Sequence, residues 1–147
     1  MAWYVNNAGY VARSTYAGYG LERKLQVVLL HRLIASGIPR IDHHNGNKLD
    51  NRRQNLRPAT HNQNMWNRNL DWDNTSGVKG VSFRADKKRK GHSTWWQARI
   101  VVNRRIHFLG YFSVPIEAAK AYDVAARKHF GRFARLNFPR RGEQGVT

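Results

Sequence analysis

"IDHHNGNKLDNRRQNL", residues 41–56, decides how the chain is read. It sets Asp42 and His43 side by side, runs on through the turn-rich stretch NGNKLDNRRQ, and returns to an apolar residue at Leu56. Ile38 to His43 reads as an extended segment and NLRPA as a short second strand, with a long loop between them. Thr60 then stands where a helix cap belongs, ahead of a helix running roughly from His61 to Asn69. The order is strand, loop, strand, helix.

Working forward from Asp42, Asn55 lies thirteen residues on and Asn64 a further nine, one turn from His61 on the predicted helix. A strand end carrying Asp-His and a helix carrying Asn can face each other across such a unit. This arrangement suits metal-assisted phosphodiester hydrolysis. A cation held by Asp42 and the amide oxygen of Asn64 would offset charge on the scissile phosphate and the departing 3′ oxygen. His43 would take the proton of the attacking water, and Asn55 would hold the loop and orient His43 rather than touch the ion. His44 and His61 are assigned to structure or to a phosphate contact. His31, beside Arg32 in an apolar run, is either a packed or surface histidine or a support behind the site.

Composition narrows the partners. The chain has 147 residues, enough for one ordinary domain or two very small ones, and 41% hydrophobic residues, enough for a modest core. It has no cysteine, which excludes disulfides and thiolate-bound zinc; any metal must sit on carboxylates, amides or imidazoles, ligands that favour magnesium or manganese. Its net charge of +17 favours polyanions, nucleic acid first among them. The charge is uneven: residues 78–138 carry 14 Lys and Arg against 3 Asp and Glu, whereas residues 1–77 carry 10 against 5. No stretch has the apolar length of a membrane span, and the start MAWYVNNAGY lacks the pattern of a signal peptide, so a cytoplasmic protein is expected.

Elsewhere the pattern is coarser. Residues 1–36 hold two β-like segments, Trp3 to Ser14 and Leu25 to Ile34, the second equally able to be helical. Residues 71–77, DWDNTSG, read as a linker. Beyond it VKGVSFRA, STWWQARIVV and RIHFLGYF alternate apolar with polar or basic side chains, as half-exposed strands do. A basic loop, DKKRKGH, joins the first two and Asn103-Arg104 turns between the last two. Ser113 is expected to cap the helix VPIEAAKAYDVAARKHF, which has Pro in its first turn and Gly131 past its end. Its alanines 118, 121 and 125, with Tyr122, form a face suited to lying on a sheet. Trp96, Ala98 and Ile100 share that inner face; Arg99 has the opposite parity.

Two resemblances add to this reading. LLHRLI…IDHHNGNKLDNRRQNLRPATHNQNMWNR, over residues 30–68, resembles the HNH nucleases, in particular homing endonucleases of phages and introns with a ββα-metal fold. The resemblance implies that His43 is the general base, Asp42 and Asn64 are metal ligands, and Asn55 is the middle family residue. His44 stands where an aliphatic residue is expected. Residues 76–139, with WWQARI, LGYF, EAAKAYDVAA and FARLNFP, resemble the APETALA-type DNA-binding domain of ethylene-response factors. That implies a three-stranded sheet laid into the major groove, agreeing with basic side chains interleaved with aromatics. The candidates are Arg84, Trp95, Arg99, Arg104 and Arg105, with Lys79, Lys87, Lys88, Arg89 and Lys90 on phosphates. Plant members commonly carry Glu where this chain has Arg99, so their sequence preference does not transfer.

The expectation is an α+β chain. A nuclease domain would occupy residues 1–70 with its core at about 38–69, followed by the linker 71–77, a DNA-binding domain at 78–139 and a basic tail at 140–147. Its function would be metal-dependent cleavage of double-stranded DNA, with one magnesium or manganese ion per site, no small-molecule cofactor and no membrane partner. A monomer or a DNA-assembled dimer would nick one strand per active site. Two alternatives stay open: a DNA-binding protein without activity, separated by metal-dependent change in supercoiled DNA, and an RNA-directed nuclease, separated by competition between duplex DNA and structured RNA.

Overall fold

A computed structural model describes residues 2–18, 24–85 and 94–146. The fold is α+β; the described residues form small sheets, three of them antiparallel, and three α-helices. It divides into two compact units, Met1–Asn64 and Met65–Thr147. The loop carrying Lys87, Lys88, Arg89 and Lys90 lies outside the described residues.

In the first unit, β1 (Tyr4–Val5), β2 (Val11–Ala17) and β3 (Lys24–Leu29) form an antiparallel sheet in that order. The β1–β2 turn closes on Asn6, whose Oδ1 accepts from the amides of Ala8 at 3.1 Å and Tyr10 at 3.0 Å. Gly9 supplies the φ of +80° that this turn needs. The run LQVVLLHRLIASG, ambiguous by period, divides between two states. Lys24–Leu29 is strand, and α1 (Leu30–Ile34) follows it directly. Strands β4 (Ile41–His43) and β5 (Leu56–Pro58) then pair antiparallel, with Asp42 opposite Arg57 and His43 opposite Leu56.

Helix α2 (His61–Trp66) opens with a capping box. The Gln63 amide donates to Thr60 Oγ1 at 3.2 Å, and the Thr60 amide donates to Gln63 Oε1 at 2.8 Å. The helix stops short of Asn69, and just past its end the carbonyl and side-chain oxygens of Asn67 both accept from Arg135. The boundary between the units falls inside α2 rather than at residues 71–77. The reason is packing within the second unit: Trp66 stacks on Phe130 with centroids 4.6 Å apart, and Lys79 Nζ donates to the carbonyls of Trp66 and Arg68.

The second unit is a sheet of β6 (Val81–Ala85), β7 (Thr94–Val102) and β8 (Arg105–Phe112), all antiparallel, with α3 (Pro115–Phe130) packed on one face. Asn103 and Arg104 both take positive φ, 51° and 63°, as a tight two-residue hairpin turn requires. Ala118, Ala119, Tyr122, Ala125, Ala126 and Phe130 form the buried face of α3, set against Val81, Ala98 and Ile100. Small side chains let helix and sheet approach closely. At Gly80, with φ +75°, an added Cβ would lie 1.9 Å from the Tyr122 ring. Ser113 does not cap α3; the N-cap is Val114, without a side-chain cap, and Pro115 starts the helix where an amide hydrogen would go unused.

Two buried polar groups lock the end of the chain to this core. Asp123 accepts from the backbone amides of Asn137 at 2.9 Å and Phe138 at 2.7 Å and from the Asn137 side chain at 3.0 Å. Arg135, 1% exposed, donates to Asn67 Oδ1 and O, to Asn69 Oδ1, and to Gly145 O at 2.7 Å. The segment expected as a basic tail is thereby folded back. Its β10 (Gln144–Gly145) pairs in parallel with β9 (Arg135–Leu136), and Glu143 bridges to Arg127 at 2.8 Å.

Removing the guanidinium strands several buried oxygens at once, and hydrogen bonds to charged groups are worth about 1.5–3 kcal/mol each. Arg135→Ala should lower unfolding free energy by about 3 kcal/mol, read as a drop in the urea midpoint with an unchanged slope. A loss under about 1 kcal/mol would show that the network is incidental.

Candidate functional site

The first unit has an unusual interior. Among its described residues Ala12 is the one buried apolar side chain, and the remaining buried side chains are His31, Asp42, His43, Asn51 and Asn55. Buried polar groups persist only when hydrogen-bonded, so the partners of these five define the site.

Asp42 and His43 leave β4 buried. Arg57, directly across on β5, donates to Asp42 Oδ2 from Nε at 2.8 Å and bridges to it from a terminal nitrogen at 2.7 Å. His43 Nε2 lies 3.2 Å from Asn51 Oδ1. Its ring also packs against His31, with centroids 5.2 Å apart, and Tyr10, at 5.9 Å; Tyr10 and His31 are 5.1 Å apart. Burial first, then the neighbouring His43 and Arg32, pushes the His31 imidazole down to about 4. It is therefore uncharged at neutral pH.

Asn55 bonds across the loop between β4 and β5. Its Oδ1 accepts from the Asn45 amide at 2.9 Å, its Nδ2 donates to Asp50 O at 2.7 Å, and its own carbonyl accepts from the His44 amide at 2.8 Å. Asp50 adds a second brace through Arg52 and Asn45, and its bonds from Arg52 hold its carboxyl well below the usual carboxylate range. The loop is also tied to the β1–β2 turn, where Lys48 Nζ donates to Ala8 O at 2.9 Å and lies over the Tyr10 ring.

Asn64 comes to the same strand from α2, donating from Nδ2 to Ile41 O at 3.3 Å, one residue before Asp42. Its Oδ1 is buried and has no protein partner. Among the described residues no group of three or more His, Asp or Glu side chains could hold a metal. The donors singled out by the sequence are instead one carboxylate, Asp42, whose Oδ2 accepts from Arg57, and one amide oxygen, Asn64 Oδ1. That set, with an orphaned amide oxygen in it, fits a hard cation that takes its other ligands from phosphate and water. His61 stands apart, its Nδ1 3.2 Å from Arg40.

Asn51, Arg57 and Tyr10 were missed in the sequence reading. Arg57 had a signal in strand register: pairing IDH with LRP puts Arg57 opposite Asp42. Asn51 had none that set it apart from Asn45 and Asn47.

In the second unit, strand pairing sorts the other candidates. Arg84, Trp95, Gln97, Arg99, Val101, Ile106, Phe108 and Tyr111 fall on the face away from α3. Arg84 Nε donates to Gln97 Oε1 at 3.0 Å, and Trp95, Phe108 and Tyr111 are 43%, 55% and 58% exposed. Arg104 is exposed at the hairpin tip. Arg105 pairs with Val102, on the helix side of the sheet, and so does not share the face of Arg99. Lys79 is placed differently from the other candidates. Its ammonium donates to the carbonyls of Trp66 and Arg68, and burial, with Arg135 nearby, lowers it to about 8. No helix among the described residues is long and apolar enough to cross a membrane.

No protein-family model matches the chain. It is 31% identical over 135 residues to a protein of Acanthamoeba polyphaga mimivirus named as an uncharacterized HNH endonuclease, a match that covers 92% of this chain and 66% of that protein. It is 30% identical over 96 residues to Protein 3.8 of Escherichia phage T7, covering 65% of this chain and 74% of that one. The chain belongs to one family with Protein 3.8 and, through the mimivirus relative, is homologous to an HNH endonuclease.

Proposed function

We propose that the chain is a divalent-metal-dependent DNA endonuclease of homing type that nicks one strand per active site. The support for this reading is the neighbourhood of two short elements. Asp42 and His43 sit together on β4, and Asn64 is tied to Ile41 with its buried Oδ1 unpartnered. Asp42 and Asn64 would hold the ion, magnesium or manganese, whose chemistry is to offset charge on the scissile phosphate and the departing 3′ oxygen. His43 takes the proton of the attacking water. Asn55 keeps the loop closed under it, and Arg57 keeps the Asp42 carboxylate in place.

The second unit is proposed as an APETALA-type reader of duplex DNA, with Arg84, Trp95 and Arg99 on the face away from α3 and Arg104 at the hairpin tip. Lys87, Lys88, Arg89 and Lys90 would add phosphate contacts. The excess of 14 basic over 3 acidic residues across 78–138 supports a polyanion as partner. Two functions in one chain keep the cutting centre at high local concentration on bound DNA.

Conversion of supercoiled plasmid to open circle tests the cut. The wild-type chain should nick with magnesium or manganese and not with chelator. His43→Ala should slow nicking by about 10²–10⁴-fold, the usual contribution of a general base, while duplex affinity stays within about two-fold. Nicking by His43→Ala at the wild-type rate would remove His43 from its role. Arg99→Ala should do the reverse, weakening duplex binding by about 1–3 kcal/mol in a salt-dependent manner, with single-turnover nicking restored at saturating protein. Unchanged affinity would show that this face does not meet DNA.

A further inference from the structure

His43 can act as a base only through a nitrogen that carries a lone pair, and a neutral imidazole has one such nitrogen. Which one it is depends on the hydrogen bond made by the other. Here the answer follows from a third residue. The Asn51 amide is oriented by Leu49, whose carbonyl accepts from Asn51 Nδ2 at 3.1 Å. That bond uses the donor end of the amide and turns the acceptor end, Oδ1, toward His43 Nε2 at 3.2 Å. An amide oxygen only accepts, so Nε2 must carry the hydrogen.

We propose that Asn51 is the positioning residue of the site, holding His43 in the Nε2–H tautomer and leaving the lone pair on Nδ1. This rests on the reading of His43 as the general base. Asn51 is itself buried and braced. It follows Asp50, whose carbonyl is held by Asn55 and whose carboxylate is held by Arg52 and Asn45. The effect of Asn55 on His43 therefore passes through the backbone into Asn51. On other sides the rings of Tyr10 and His31 restrain the His43 ring. A half-turn of that ring would set a carbon against the amide oxygen.

The choice of an amide has a chemical sense. A carboxylate at position 51 would fix the same tautomer, but it would add negative charge where a phosphodiester has to bind. An amide orients the ring without that repulsion. It also accepts equally well from the imidazolium that forms once the proton has moved.

The test reads the tautomer directly, by long-range proton–nitrogen-15 correlation on the full chain at pH 8, with the His43 signals identified by their loss in His43→Gln. In the wild type, Nε2 should show the shift of a protonated nitrogen and Nδ1 that of a bare one. Asn51→Leu should give a mixture of tautomers and lower kcat for nicking about 10–100-fold, with KM within two-fold. Asn51→Asp should restore the Nε2–H tautomer, since it keeps the acceptor. A wild-type His43 protonated on Nδ1, or an Asn51→Leu spectrum and kcat like the wild type, would overturn the proposal. The wild-type tautomer decides it even if Asn51→Leu fails to fold and whether or not the chain cuts DNA, so its failure is distinct from failure of the nuclease reading.

Discussion

The side chain of Asn55 closes the loop between β4 and β5, and the first unit depends on that closure. One amide joins Asn45 to Asp50 across the loop, while the Asn55 carbonyl catches His44 directly after Asp42 and His43. With those ends fixed, the β4–β5 register sets Arg57 against Asp42, and Asn51 arrives at His43. Little apolar burial backs this up, since Ala12 is the one buried apolar side chain among the described residues of the unit. Its interior is a polar network, and such networks hold only when their members are satisfied together. The same side chains that shape the unit are the ones with chemistry to offer. A substitution there is expected to change folding and reactivity together, which is why tests of role need a readout besides stability.

The second unit is organised by the opposite principle. Ala, Ile, Phe and Tyr side chains of α3 and the sheet make an apolar core, and Arg135 and Asp123 are buried only to pin chain segments to it. The core consumes one face of the sheet. The other face keeps aromatic and guanidinium groups in solvent, where they are available to a polyanion. Lys79 shows why charge counts alone mislead. A lysine in a basic stretch can be spent on a helix end, and then adds field without making a contact.

The sequence made the strand–loop–strand–helix order legible because it is set by local turn chemistry and spacing. The alternation of the last three strands was legible for the same kind of reason, and the Asn103-Arg104 turn with it. What was not legible depends on partners distant in the chain. Asn51 lies among several loop asparagines, and tertiary placement alone singles it out. Nothing in the sequence sets Arg135 apart from the other arginines, and its burial depends on Asn67 and Gly145 on either side of it in sequence. The parallel pairing of residues 144–145 is of this kind too, which is how a folded segment came to be read as a tail. The irregularity between Ala98 and Arg99 shifts the β7–β8 register, and Arg105 falls on the helix side of the sheet while Arg99 faces away from it.

In the proposed site Asp42 and Asn64 together form one cation seat beside His43. The most direct measurement is a count of manganese ions bound per chain, by electron paramagnetic resonance, on the full chain with duplex DNA. One ion should be held by the wild type and lost in both Asp42→Ala and Asn64→Ala, with His43→Ala still binding. Equal occupancy in all four proteins, or none in the wild type, would contradict it.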